Sequence, residues 1–400
     1  MKSFAKQVCA LAVLWGGLWA YVYAQSGLRP EFHKPLAAAQ EALKNNQTEQ
    51  ALRLASEAAA VSSLTAAEKQ LVWRFQSVAA LRAQQWALAT ERLEALLTLP
   101  EVPAADRPAL QEMLVNAAIQ NKDVVRTVRV ARQYIQSGGV SPGVRTALLQ
   151  SLSLQGEHKM LVQEMQGFIQ QDQAQNRKTP ETELRLMGAA SLQLKDEVGY
   201  FSVLKRLIAQ YPSKAYWADA IVRLTNLSSF NTRYELDAYR LLAETDNLED
   251  IAEFAEMVAL AMKAGLPAEA LRVLEVGYVK KVLGQGSDAA NHARMLAEAK
   301  KKTQEDNALL PQLEQGAKDG NAWMAVADAY ASKQNWALAV SAYEKALKTG
   351  GLRREAEARL HFGIALFKDG QLAAALAQWQ VVQGEATAIE LASMWTLLAR

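Results

Sequence analysis

Four histidines, one cysteine and scattered carboxylates are the residues on which chemistry could rest. His33, His158, His292 and His361 lie far apart in the sequence. None has a cysteine, a second histidine or a carboxylate at a metal-site spacing: there is no His-Glu-x-x-His, no paired-cysteine knuckle and no calcium loop. His361 precedes Phe362-Gly363 on an expected helix, where a surface position is the simpler reading and a groove-lining one the alternative. No serine sits in a nucleophile elbow. Gly284-Gln285-Gly286-Ser287 has no strand before it and no third glycine, so it reads as a loop after a helix rather than a phosphate cradle. Glu49 and Glu57 lie on solvated helices, and nothing arranges a general acid–base pair. The sequence thus offers no catalytic, cofactor-binding or metal-ligating residue, and no enzyme is expected.

The chain has 400 residues, is 50% hydrophobic and carries a net charge of +2. That is apolar enough for a substantial core, and the composition favours helix. Lys2 and Lys6 precede an apolar run from Val8 to Tyr23, which ends at Val22-Tyr23-Ala24. This pattern predicts a secretory signal, residues 1–24, cleaved after Ala24. An uncleaved inner-membrane anchor is the alternative, although the run falls short of the ~20 residues that span a bilayer comfortably. Removing residues 1–24 takes Lys plus Arg from 44 to 42, equal to the 42 acids. A neutral chain has no global electrostatic reason to bind nucleic acid or anionic lipid. The run Lys300-Lys301-Lys302 is followed by Glu305 and Asp306 and reads as a solvated helix face. Cys9 would leave with the signal, so the exported chain would have no disulfide.

Beyond residue 30 apolar residues recur at helical spacings, broken at short intervals by Gly, Pro and Asn. Trp323, Val326, Ala327 and Tyr330 share one helix face; a turn follows at Lys333-Gln334-Asn335; Trp336, Ala339, Tyr343 and Ala346 share the next. The following unit keeps the spacing with Phe362, Gly363 and Leu366, a turn at Asp369-Gly370, then Ala375, Trp379 and Val382. Earlier, Phe254, Val258 and Ala261, Gly265, then Ala270, Leu274 and Gly277 do the same, and Trp86-Ala87-Leu88-Ala89 repeats Trp336-Ala337-Leu338-Ala339. Small residues such as Ala327, Gly363, Ala339 and Ala375 fall where paired helices must cross closely. Tyr200 stands where a small residue is expected. Residues 285–318 fit one degenerate helical pair, and the last helix, from Glu385 to Arg400, is expected to cap the array.

These spacings resemble the tetratricopeptide repeat, which implies an all-α fold: a tetratricopeptide-like α-solenoid, a right-handed superhelix of stacked helical hairpins. Behind the signal, degenerate repeats are expected over 25–178 and 179–318, and clear repeats with a capping helix over 319–400. A further resemblance covers roughly residues 180–400. Its residues are Tyr211 to Trp217, Glu235 to Leu241, Ala264 to Ala270, Val276 to Gly284 and Ala392 to Arg400. These stretches are similar to exported repeat proteins of Gram-negative bacteria that accompany TonB-type energy-transduction systems.

Such an array lines a concave groove with the first helix of each hairpin. The expected partner-binding residues are Asn321, Met324, Asp328 and Ser332 in one unit and Glu357, Leu360, Ile364 and Lys368 in the next. The resemblance implies a non-enzymatic periplasmic scaffold for an envelope complex, with a protein partner, no cofactor and no nucleic acid. No stable membrane span remains after signal cleavage, and homodimerisation is open. The alternative is a glycan- or cell-wall-binding accessory protein using aromatic residues, with a partly exposed Trp217 as its marker.

Overall fold

The computed structural model describes residues 28–400, so the expected signal segment lies outside the described residues. Among the described residues there are twenty α-helices, one 3-10 turn and no strand. In chain order they are α1 Pro30–Lys44, α2 Thr48–Ala59, α3 Ala66–Arg82, α4 Trp86–Thr98, α5 Arg107–Gln120, α6 Val124–Gln136 and α7 Pro142–Leu154. Then come α8 His158–Ala174, α9 Glu181–Gln193, α10 Glu197–Gln210, α11 Lys214–Asn226, α12 Glu235–Glu244, α13 Ile251–Lys263 and α14 Pro267–Val279. The last six are α15 Ala289–Gly316, α16 Gly320–Ser332, α17 Trp336–Thr349, α18 Glu355–Lys368, α19 Leu372–Gln380 and α20 Ala386–Leu398.

Local chemistry sets the helix ends. Thr65 and Glu68 form a capping box at the start of α3, and Asp250 and Glu253 form another at α13. Pro30, Pro142 and Pro267 open helices, where a missing N–H costs nothing. Most hairpin turns share one device. The residue after the helix end takes a left-handed backbone, and the next N–H returns to the carbonyl five residues earlier. Gln85 N–H to Ala80 O is 2.9 Å, Asp196 to Ser191 is 2.9 Å, Asn335 to Tyr330 is 3.0 Å and Gln371 to Leu366 is 2.8 Å. Only some of these positions are glycine: Gln84, Lys122, Lys195 and Gln334 adopt the same positive φ.

The expected crossings hold. Ala327, Ala339, Ala375, Ala270 and Ala89 are wholly buried, whereas Ala337, two residues before Ala339, is exposed. A Cβ on Gly363 would collide with the Trp379 ring, and one on Gly277 would come within 2.6 Å of Leu283. Tyr200 is accommodated because the small residue has moved to the facing helix, where a Cβ on Gly188 would lie 3.1 Å from the Tyr200 ring.

One expectation is corrected. Residues 285–318 hold a single 28-residue helix, α15, rather than a helical pair. The segment Lys300 to Asp306 contains only good or tolerable helix formers, with Lys302 Nζ 3.4 Å from Glu305 on the solvated face. Pro311 reads as a break in the sequence, yet it sits inside the helix near its end.

The chain divides into two compact units, the first ending at Met165 and the second running Gln166–Arg400. The division falls inside α8. Each unit is a stack of helical hairpins. In the first unit α1 to α7 pack on their neighbours in sequence. The second unit also folds back on itself. Its last helix packs on α18 and α19, where Trp395 stacks on Trp379 at 6.2 Å, and also touches α10 and α12. Lys205 Nζ lies 2.6 Å from Glu390, and the Thr387 hydroxyl accepts from Asn231 N–H at 2.8 Å. Thus α20 is more than an end cap: it ties the end of the unit to helices laid down far earlier.

Candidate functional site

The closure of the second unit brings α12, α14, α16, α17 and α18 around a cluster of buried charges. Asp237 and Arg240 lie one turn apart on α12, and Arg240 Nη1 is 2.7 Å from Asp237 Oδ1. The same guanidinium donates to both oxygens of Glu269 on α14, at 2.9 and 2.7 Å, a two-pronged geometry that suits arginine. His361 on α18 lies between two aspartates, with Nε2 3.0 Å from Asp237 Oδ1 and Nδ1 3.1 Å from Asp328 Oδ1. Tyr343 on α17 donates its hydroxyl to Asp328. Beside them Lys368 pairs with Glu244.

His361 was expected at the surface, and the structure corrects this: its side chain is 11% exposed. Burial by itself would lower its pKa, but Asp237 and Asp328 outweigh that and carry it up to about 10. The ring is therefore a cation at neutral pH, with both N–H groups committed to carboxylates and no lone pair for a metal. Asp237 mirrors this. Burial would raise its pKa, and His361 and Arg240 instead bring it down to about 2. Burial and the Asp328 carboxylate push the Tyr343 hydroxyl far above its ordinary range.

A cavity of about 300 Å³ opens against this cluster. Arg240, Glu244, Glu269, Arg272, Asp328 and His361 supply its charged wall, and Leu248, Phe254, Met257, Val273 and Val276 an apolar one. Trp395, 1% exposed, also borders it, and its indole Nε1–H has no hydrogen-bond partner.

The eight expected groove residues all belong to this unit. Met324, Ser332, Glu357, Leu360 and Ile364 are buried. Asn321 caps the turn into α18, accepting from Arg353 N–H at 3.0 Å. Asp328 and Lys368 are engaged in the pairs described above. Asp328, Ser332, Ile364 and Lys368 line the cavity. The inward face of these helices is therefore narrowed to a cavity by the approach of α12. Trp217, the marker for a glycan platform, is 7% exposed and packs in the interior. Asp237, Arg240, Glu269 and Arg272 did not stand out in the sequence. The available signal was a pair of opposite charges one helical turn apart at Asp237 and Arg240, with Glu269 directly before the crossing Ala270.

Among the described residues no group of three His, Cys, Asp or Glu side chains could hold a metal ion, and no helix is long and apolar enough to cross a membrane. No protein-family profile matches the chain, and no curated protein matches it. Solved structures with some similarity include the TPR2AB-domain:pHSP90 complex of yeast Sti1, at 14% identity and a TM-score of 0.35, covering 67% of this chain and 98% of that one. Yeast Tom70 is 10% identical with a TM-score of 0.26, covering 92% and 94%. The pentatricopeptide repeat protein PPR10 from maize is 12% identical with a TM-score of 0.31, covering 98% and 66%. The class rests on this chain's own hairpins, turns and small-residue crossings: an all-α, tetratricopeptide-like helical solenoid.

Proposed function

We propose that the chain is a non-enzymatic protein-interaction scaffold of the bacterial cell envelope. The observation that carries this reading is the stack of helical hairpins joined at Ala327, Ala339, Gly363 and Ala375, which presents many helix faces. Export is supported by Lys2, Lys6 and the apolar run closing at Ala24. The finer proposal, a partner within a TonB-type transport system, is supported by the sequence resemblance over residues 180–400. The partner is proposed to meet the rim around Asn321, Asp328 and Lys368, because the neighbouring inward residues are buried.

The test is crosslinking in a Gram-negative host of a tagged full-length chain, followed by mass spectrometry. N-terminal sequencing of the periplasmic fraction runs alongside it. A TonB-type component or outer-membrane receptor in the captured set, with cleavage after Ala24, supports the reading. Capture of only the chain itself, or of cell-wall fragments and their enzymes, removes the transport assignment. Retention in the cytoplasm removes the envelope assignment.

A further inference from the structure

We propose that the cavity of the second unit binds a small organic acid, a carboxylate on a short apolar body, with Arg272 receiving the carboxylate. Most charges in the cavity wall are already matched. Glu244 is held by Lys368, Glu269 by Arg240, and Asp328 by His361 and Tyr343. No carboxylate of the wall is left without a cation. Among the cations, Lys368, Arg240 and His361 each have a carboxylate within 3.1 Å. Arg272 does not. Its nearest carboxylate oxygen, on Glu269, is 3.9 Å away and already serves Arg240. Its one hydrogen bond runs from Nη1 to the Ser332 carbonyl at 2.8 Å, and Nη2 has only the 3.9 Å contact to Glu269.

The donors least matched by an acceptor around the cavity are therefore the guanidinium N–H groups of Arg272. An anion answers them; a cation would meet only carboxylates that are already paired. Burial lowers the Arg272 pKa; Glu269 opposes this, Arg240 adds to it and Glu244 opposes it, with a net result below the ordinary arginine value. That is the direction expected of a cation short of negative charge. The side chain is still 33% exposed, so a ligand can reach it from solvent. Leu248, Phe254, Met257, Val273 and Val276 line the same cavity and suit a hydrocarbon body. An apolar cavity of about 150 Å³ holds benzene, so twice that volume takes a ligand of about ten non-hydrogen atoms.

This inference goes beyond the scaffold reading, and either can fail alone. The experiment is isothermal titration of the full chain with three matched probes: phenylacetate, phenylacetamide and 2-phenylethylamine. Phenylacetate is expected to bind, the amide at least tenfold more weakly, and the amine not measurably. Arg272→Leu is expected to lose at least tenfold in phenylacetate affinity, and Arg272→Lys to retain part of it. Equal binding of acid and amide, tighter binding of the amine, or silence from all three probes at millimolar concentration overturns the proposal. So does an Arg272→Leu variant that binds like the parent. Should Arg272→Leu unfold, the Arg272→Lys variant and the acid–amide ratio on the parent chain decide the matter.

Discussion

The two units use the same hairpin and connect it differently. In the first, the ion pairs join helices that are near neighbours in sequence: Arg126 and Arg129 meet Glu94, and Arg132 meets Glu164. In the second, Asp237 meets His361 and Glu244 meets Lys368 across 124 residues, and Lys205 meets Glu390 across 185. A stack held only by neighbours approximates a one-dimensional array, whose stability adds unit by unit. A stack that returns to itself gains a buried polar centre and couples its two ends. The same helical unit thus yields neighbour contacts alone in one case and an enclosed polar centre in the other, according to whether distant helices meet.

The largest expected effect tests that difference directly. His361→Leu leaves Asp237 and Asp328 without their shared cation and is expected to cost about 3–5 kcal/mol, read by urea unfolding. A loss no greater than that of a surface pair would break the comparison. Next is the crossing itself. Ala339→Leu is expected to cost about 1–3 kcal/mol through overpacking, while Ala337→Leu changes little. Equal melting temperatures for the two variants would put the helix register in error. The pH dependence is a third test. The pKa of His361 rises from about 6.5 in the unfolded chain to about 10 in the folded one. Its contribution is therefore complete below about pH 6.5 and is lost as pH climbs toward 10, with a slope of up to about 1.4 kcal/mol per pH unit. Asp237, brought down to about 2, adds stability above about pH 4 that is lost as pH falls toward 2. Thermal unfolding across pH 6 to 10, with and without His361→Gln, separates the histidine's part. The smallest effect belongs to the first unit. Arg129→Ala breaks a half-exposed pair with Glu94 and is expected to cost about 0–1 kcal/mol.

The hairpins were legible because Ala327, Ala339, Gly363 and Ala375 recur at fixed spacing and admit no larger side chain. Turns at Gly265 and Gly370 were legible for the same local reason. Those at Gln84, Lys122 and Lys195 were not, because a non-glycine residue tolerates the left-handed backbone at a cost of roughly 1–2 kcal/mol and leaves no mark in the sequence. The long helix α15 was hidden by Pro311, whose usual meaning as a break does not hold in its final turns. The candidate site was least legible. Asp237 and His361 meet only because the curvature accumulated over the intervening hairpins brings α12 to α18, and no local spacing encodes that sum.

The separation of Asp237 from His361 also has a meaning in time. A ribosome adding about 5–20 residues per second needs on the order of ten seconds to travel from one to the other. Through that interval Asp237 and Glu269 have only the cations of α12 and α14, Arg240 and Arg272, to pair with. The hairpins of the second unit can form as each emerges, but its polar centre is completed only when α18 brings His361.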